Sequence, residues 1–130
     1  MIKLQTVKGT HDLLGKSSII IDDIIDISEK VSIEFNFEKI STPILEFSEL
    51  FSGTLGQVSD IVEKEMYNFV DRGNESLTLR PEGTAPVARA LISNSLHESV
   101  SQKFYYFGPM FRREKPQSGR LRQFHQFGIE

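Results

Sequence analysis

The sequence predicts an α+β fold in which an antiparallel β-sheet is flanked by helices. Three patterns support this prediction: an apolar repeat with helical spacing, two short apolar runs around a loop of turn-forming residues, and two aromatic-rich runs near the C-terminal end that have the period of a strand. The chain has 130 residues, of which 38% are hydrophobic and 25% are charged. This size and composition are typical of a single globular domain.

The first predicted element is a helix over residues 17–35. Its apolar residues recur at intervals of three and four, and we expect this stripe to be buried. Ser17 or Ser18 can cap the start of the helix, and Asn36 suits its end. The stripe consists of Ile20, Ile24, Ile27, Val31 and Phe35.

Shorter elements follow the first helix. Residues 38–41 read as a strand that stops at Pro43, because proline cannot donate to a sheet. Residues 47–55 suggest a helical turn. Residues 66–70 and 76–80 read as a β-hairpin, because the loop between them is rich in turn formers.

The second half of the chain predicts one further helix and two long strands. The helix covers residues 84–96, with Thr84 as its cap and Pro86 in its first turn, where a missing N–H costs nothing. Residues 104–114 and 122–130 are the strands.

Composition excludes several classes of protein. There are no cysteines, so a disulfide scaffold, a cysteine-ligated zinc site and a thiol nucleophile are ruled out. The three histidines form no close-spaced ligand pair, and no metal site is predicted. Apolar runs are far shorter than the roughly 18 residues of a membrane span, and the start of the chain does not resemble a signal peptide. We therefore expect a cytoplasmic protein without membrane contact.

Charge is unevenly distributed along the chain. The net charge is −3, yet 9 basic residues face 16 acidic ones before Lys103, whereas 6 basic residues face 2 acidic ones from Lys103 onward. A basic end on an acidic body indicates that this end meets an anion.

The two long strands carry the main candidate site. Alternate residues of a strand share one face, and the alternation gathers two sets of side chains: Arg122, Phe124, Gln126, Gly128 and Glu130 on one strand, and Met110, Arg112 and Glu114 on the other. If the two sets lie on the same side, the face suits a ligand with a planar ring, an anionic group and a cationic group. The alternative is an ordinary solvated sheet face.

Individual residues on this face suggest roles. Arg112 offers the planar fork of donors that suits phosphate, Phe124 offers a stacking surface, and Gly128 allows close approach of a ligand. On the opposite face, His125 reads as a half-buried structural residue.

A second candidate site lies where a strand gives way to a helix. Glu82 and Thr84 fall at this junction, where backbone N–H groups are free. The alternative is a plain helix entry capped by Thr84.

Three sequence motifs resemble histidyl-tRNA synthetase, a class II aminoacyl-tRNA synthetase with an antiparallel-sheet catalytic domain. They are LRPEGT at 79–84, VEKEMY at 62–67, and FRRE at 111–114 followed by GRLRQFHQ at 119–126. The similarity runs essentially from Lys8 to Glu130. Pro43 resembles the proline of the first class II motif, which implies a dimer interface and a homodimer.

The resemblance implies an ATP site. Arg112 would hold the α-phosphate and the carboxylate of the amino acid, and would be the catalytic residue. Glu114 would meet the adenine amino group, Arg120 would reach the γ-phosphate, and Phe124 would stack on adenine. Mg²⁺ would accompany the ATP.

The resemblance also implies a histidine site. Glu82, Thr84 and Gln126 would hold the α-amino group, and Glu130 would pair with the imidazole.

In activity, the resemblance implies a ligase that forms histidyl-adenylate and passes the histidyl group to tRNA(His). Residues 1–130 would be the N-terminal portion of its catalytic domain, without the third motif and the anticodon-binding domain, and this chain alone is expected to be inactive. Two alternatives remain open: the synthetase-like regulatory subunit of ATP phosphoribosyltransferase, and a non-catalytic binding or dimerisation fragment.

Overall fold

A computed structural model describes residues 4–52, 65–96, 101–115, 117 and 119–130. The predicted turn beyond Ser52, the first residues of the VEKEMY motif and His97 lie outside this part. Within the described part the helices are α1 (Lys16–Glu34) and α2 (Thr84–Ser93), with a 3-10 turn at Ser48–Phe51. The strands are β1 (Glu38–Lys39), β2 (Leu45–Phe47), β3 (Tyr67–Val70), β4 (Ser76–Leu79), β5 (Phe104–Phe111) and β6 (Gln123–Ile129).

The α+β class is confirmed, but the strands form two sheets instead of one. β1, β5 and β6 make the first sheet, and β2, β4 and β3 make the second, each in that order. The β3–β4 hairpin and the β5–β6 pair are antiparallel, as predicted. β2, which was not predicted, also pairs with β4 in antiparallel orientation. β1 pairs with β5 in parallel, a partnership between residues so far apart in sequence that the local pattern of β1 contains no sign of it.

Helix α1 forms where its apolar repeat predicts it, but the expected burial is wrong. The five stripe residues remain 47% to 64% exposed, and Ser32 is the buried residue of the helix. The predicted serine cap is also wrong, since Gly15 occupies the cap position without a side-chain hydrogen bond. Asn36 follows the helix with a φ of 60°, which confirms its role at the end.

The main core lies between α2 and the β5–β6 pair. Val87 of α2 is 1% exposed and packs with residues from one face of β5, while Phe124 of β6 completes the cluster from the side. The buried members from β5 are Phe104, Tyr106 and Met110. This packing fixes the start of α2 directly over the sheet face on which the candidate site was predicted.

A buried ion pair fastens α2 to the second sheet. Glu46 of β2 accepts two hydrogen bonds from the Arg89 guanidinium, at 2.7 and 2.9 Å. The Glu46 side chain is only 6% exposed. Bidentate geometry of this kind orients both partners, so α2 is held from both sides.

No helix in the described ranges is long and apolar enough to cross a membrane.

Candidate active site

The register of β5 and β6 brings the two predicted sets of side chains onto one face. Met110 lies opposite Phe124, and Gly108 lies opposite Gln126. Beyond the strand ends, the Arg112 amide donates to the Arg122 carbonyl at 3.0 Å, which carries the pairing outward. We refer to Arg112, Glu114, Phe124, Gln126, Gly128 and Glu130 as the polar face.

Arg112 is anchored at its inner end. Its Nε–H donates to the Pro81 carbonyl at 3.0 Å, and the guanidinium carbon lies 5.1 Å from the centre of the Phe124 ring. No described residue accepts a hydrogen bond from its terminal amino groups. A guanidinium with its stem fixed and its fork free is well suited to a carboxylate or a phosphate.

Glu114 lies near the loop that joins the two strands. Its Oε2 atom is buried, has no hydrogen-bond partner among the described residues, and is 3.6 Å from Arg120 Nε. The Arg120 side chain is 60% exposed, whereas that of Glu114 is 16% exposed. A buried acceptor without a donor is costly, so this carboxylate is set up to meet one.

Arg122 is held by its own surroundings. Its Nε–H donates to the Glu114 carbonyl at 3.3 Å, and its amide donates to the Gly9 carbonyl at 2.7 Å. Gly9 has a φ of 88°, and a Cβ there would lie 2.8 Å from the Arg122 side chain. The segment around Gly9 therefore holds Arg122 in place, and Arg122 in turn holds the backbone of Glu114.

At the start of α2, Glu82 does the capping that was predicted for Thr84. Its two carboxylate oxygens accept the Thr84 amide at 2.6 Å and the Ala85 amide at 2.9 Å. These amides have no partner inside the helix, so a carboxylate is stabilising here. The Thr84 side chain is left available for another role.

That role is a contact with the end of β6. The Thr84 hydroxyl donates to Oε1 of Glu130 at 2.6 Å. The structure thereby brings together two predicted site residues that are 46 positions apart. Gln126, also half-buried, has an Oε1 atom without a partner among the described residues.

Comparison with known proteins shows the family of the chain. Residues 9–130 match the family model described as histidyl-tRNA synthetase. The chain belongs to the histidyl-tRNA synthetase family.

Its relatives in this family include bacterial histidine–tRNA ligases. The chain is 52% identical over 130 residues to the histidine–tRNA ligase of Gluconacetobacter diazotrophicus and 53% identical to that of Rhodospirillum rubrum, covering all of this chain and 31% of each relative. The crystal structure of apo histidyl-tRNA synthetase from S. aureus superposes with a TM-score of 0.77 at 38% identity, over 99% of this chain and 28% of that one. The chain therefore spans about a third of the length of the relatives it matches.

A further solved structure carries two descriptions. It is described as an ATP phosphoribosyltransferase regulatory subunit/histidyl-tRNA synthetase from Bacillus halodurans C, and it superposes with a TM-score of 0.81 at 26% identity. It covers 99% of this chain and 32% of that one.

Two residues of this synthetase-family chain were missed by the sequence reasoning. Arg80 is 6% exposed, and its guanidinium donates to the Pro109 carbonyl at 3.0 Å and to the carbonyl and hydroxyl of Thr42 at 2.8 and 3.0 Å. Burial lowers the pKa of this guanidinium. A Cβ on Gly108 would lie 2.2 Å from it, so a glycine inside a strand was the available signal.

Tyr106 is the second missed residue, and it corrects the role predicted for Gly128. The space beside Gly128 is filled by the Tyr106 ring, which a Cβ would approach to 2.3 Å. Burial raises the pKa of the Tyr106 hydroxyl, and the Glu130 carboxylate raises it further. A glycine opposite a tyrosine in paired strands was the signal for this contact.

Two other predicted residues lie outside the polar face. His125 is exposed instead of half-buried, and its ring stacks on Phe107 with centroids 5.3 Å apart. Pro43 is also exposed, next to the Thr42 that Arg80 holds.

Proposed function

We propose that this chain forms the N-terminal part of the catalytic domain of a histidine–tRNA ligase, which uses ATP to join histidine to tRNA(His). The observation that carries the proposal is the polar face itself. It combines a guanidinium fork above an aromatic ring with two buried acceptor oxygens, on Glu114 and Gln126, that have no donor among the described residues. Family membership over residues 9–130 supports the same conclusion.

The ATP site in this proposal occupies the outer part of the face. Arg112 binds the α-phosphate, and Arg120, which is exposed at the loop, reaches the γ-phosphate. The unpartnered oxygen of Glu114 accepts the adenine amino group. Phe124, whose ring also contacts the Arg112 guanidinium, stacks on adenine in this proposal.

Histidine lies between this site and the start of α2. Its ammonium group is a triple donor, and the proposal gives it three acceptors: the carboxylate of Glu82, the hydroxyl oxygen of Thr84, and Oε1 of Gln126, which has no hydrogen-bond partner among the described residues. Glu130 accepts the N–H of the imidazole. Arg112 reaches the carboxylate of histidine as well as the phosphate.

The chemistry follows from this placement. A carboxylate oxygen of histidine attacks the α-phosphorus in line, the bond to the leaving pyrophosphate breaks, and histidyl-adenylate forms. Arg112 lies where negative charge collects, so it contributes electrostatic stabilisation and alignment more than proton transfer. A terminal hydroxyl of the tRNA then attacks the carbonyl carbon, and AMP leaves.

Mg²⁺ would accompany ATP in this proposal and would neutralise charge on its phosphates. Among the described residues no group of three or more potential ligand side chains could hold a metal ion. Magnesium in nucleotide sites is commonly held by phosphate oxygens with one or two carboxylates, and the residues present fit only such a shared site.

The proposal extends to assembly. Pro43 is exposed on the surface, and Arg80 ties its neighbour Thr42 to β5, so a contact made there is mechanically linked to the strand that carries the site. We propose that Pro43 lies in the interface of a cytoplasmic homodimer.

Histidine-dependent exchange between ATP and pyrophosphate tests the function. The longer enzyme that contains this chain should catalyse exchange with histidine and not with glutamine, and the 130-residue chain alone should not. Failure of the longer enzyme to exchange with any amino acid would overturn the proposal.

A regulatory subunit of ATP phosphoribosyltransferase is the second candidate, favoured by the superposition on the Bacillus halodurans structure. Intact Arg112, Glu114 and Arg120 favour the ligase, since a protein that does not form adenylates has no need of them. The regulatory candidate predicts no exchange, together with stimulation of phosphoribosyl transfer by the catalytic subunit. The same exchange assay therefore separates the two functions.

A further inference from the structure

Tyr106 occupies a space that two elements shape around its ring. It is 5% exposed. A Cβ on Gly83, at the start of α2, would lie 2.2 Å from the ring, and a Cβ on Gly128 of β6 would lie 2.3 Å from the ring and the hydroxyl. Because both distances are impossible for real atoms, both positions require glycine if the ring is to remain there.

The hydroxyl at the end of this ring faces the proposed histidine site. A Cβ on Gly83 would lie 2.5 Å from this hydroxyl and one on Gly128 would lie 2.3 Å from it, so the hydroxyl lies next to the residue before Thr84 and on the same face of β6 as Glu130. Burial raises the pKa of the hydroxyl, and the charge of the Glu130 carboxylate raises it further. Thr84 and Glu130 are themselves joined by the 2.6 Å hydrogen bond. Three side chains from α2, β5 and the end of β6 thus form one cluster.

We propose that Tyr106 is a positioning residue that fixes the Glu130 carboxylate for recognition of an imidazole N–H. The proposal rests on the proposed function, and it names a determinant of amino-acid selectivity in that site. The Thr84 hydroxyl already donates to Oε1 of this carboxylate, and in this proposal the Tyr106 hydroxyl restrains its other side. The remaining acceptor capacity of the carboxylate is then available to the imidazole N–H of the proposed substrate.

The neighbouring core residues indicate that the Tyr106 hydroxyl is not explained by packing alone. The other buried residues of β5 in the same cluster, Phe104 and Met110, have no polar group. A phenylalanine at position 106 would fill the same volume without placing a polar atom in a buried site, which costs free energy unless the atom is paired. The hydroxyl is therefore best explained by its partners at the site.

Tyr105 provides a matched control for an experiment. It is 4% exposed, adjacent in sequence and identical in type, but it lies on the other face of β5, where its ring stacks on Phe127 at 5.9 Å. Tyr106→Phe and Tyr105→Phe therefore remove the same atom from two equally buried positions, one of which faces the site.

The test measures the KM values for histidine and for ATP in the exchange reaction of the longer enzyme, together with the Tm of each variant. Tyr106→Phe should raise the KM for histidine at least about fivefold, as expected for loss of one hydrogen bond to a charged group. Its KM for ATP should stay within about twofold, and Tyr105→Phe should leave both constants unchanged.

Other outcomes overturn the inference in distinguishable ways. An unchanged histidine KM in Tyr106→Phe, in an enzyme that exchanges with histidine, shows that the hydroxyl only packs and leaves the proposed function intact. Equal increases in both KM values, with a lower Tm, show a structural role. Absence of exchange in the unsubstituted enzyme overturns the proposed function and this inference together.

Discussion

The two ends of the polar face, each taken together with the neighbouring side chains, differ in how many hydrogen bonds already join their polar groups. At the carboxylate end (Thr84, Tyr106, Glu130), the Thr84 hydroxyl donates to Oε1 of Glu130 at 2.6 Å, so two of the polar groups are already joined. At the arginine end (Arg112, Glu114, Arg120), a buried carboxylate oxygen has no donor in the described chain, and the nearest cation stands 3.6 Å away on a largely exposed side chain.

If the polar face binds both ATP and histidine, as proposed, this difference assigns a different task to each end. A small ligand such as an amino acid contributes few contacts, so its site benefits from groups that are already oriented. A nucleotide triphosphate contributes many charged oxygens and can complete an open site by itself. The preorganised end therefore suits selectivity, and the open end suits charge neutralisation.

The largest effect is expected for Arg112→Ala in the longer enzyme. Loss of a donor aimed at developing negative charge typically lowers kcat by about 10²–10³-fold, and we expect this loss for ATP–pyrophosphate exchange. The KM for histidine, whose carboxylate Arg112 also reaches, should rise by a much smaller factor. Arg113→Ala is the matched control, because the neighbouring arginine is exposed. A kcat within about threefold of the parent would mean that Arg112 is not at the reacting phosphate.

A smaller effect is expected for Glu130→Gln, which keeps the shape of the carboxylate end and removes its charge. Hydrogen bonds to charged groups contribute roughly 1.5–3 kcal/mol, so the KM for histidine should rise about tenfold or more. The exposed Glu75→Gln serves as control. An equal loss for ATP would show that the carboxylate supports the fold instead of the imidazole.

Glu114→Gln should have a more modest effect at the arginine end. The amide still offers an acceptor but loses its attraction for Arg120, and such partly exposed pairs contribute little. We expect the KM for ATP to rise roughly threefold to tenfold, with histidine binding preserved. Steady-state exchange at saturating histidine measures it, and an unchanged KM for ATP would remove Glu114 from the adenine site.

The smallest effect concerns pH. The folded state raises the pKa of Tyr106 above its ordinary value of 10.0, so the folded protein holds this proton more tightly than the unfolded chain. The associated stability is fully present below pH 10.0 and is lost as pH rises from there through the raised pKa. Tyr106→Phe should therefore show a shallower fall of Tm above pH 10 than the parent, and identical slopes would contradict the buried environment of this hydroxyl.

Much of the arrangement could be predicted from local pattern. The alternation in β5 and β6 fixes which side chains share a face, and the register confirms it through the Met110–Phe124 pair. The apolar repeat in α1 likewise predicts a helix correctly. Periodicity reports the conformation of a segment, because it arises within that segment.

What could not be predicted depends on partners distant in sequence. The periodicity of an apolar stripe does not show which element packs against it, and the apolar stripe of α1 remains exposed. The helix cap came from Glu82 instead of Thr84, because Thr84 has a competing acceptor in Glu130 that only the fold supplies. Gly128 by itself predicts space for a ligand, because nothing in the local sequence shows that Tyr106 on the paired strand fills that space.

The most direct test of the central claim, that the two ends bind different ligands, is the exchange kinetics of Glu130→Gln, Glu114→Gln and the double variant in the longer enzyme. If the ends are separate, the double variant has the histidine KM of the first and the ATP KM of the second, because effects at independent sites do not couple. If each single variant instead raises both constants together, the polar face is one undivided site and the account is wrong.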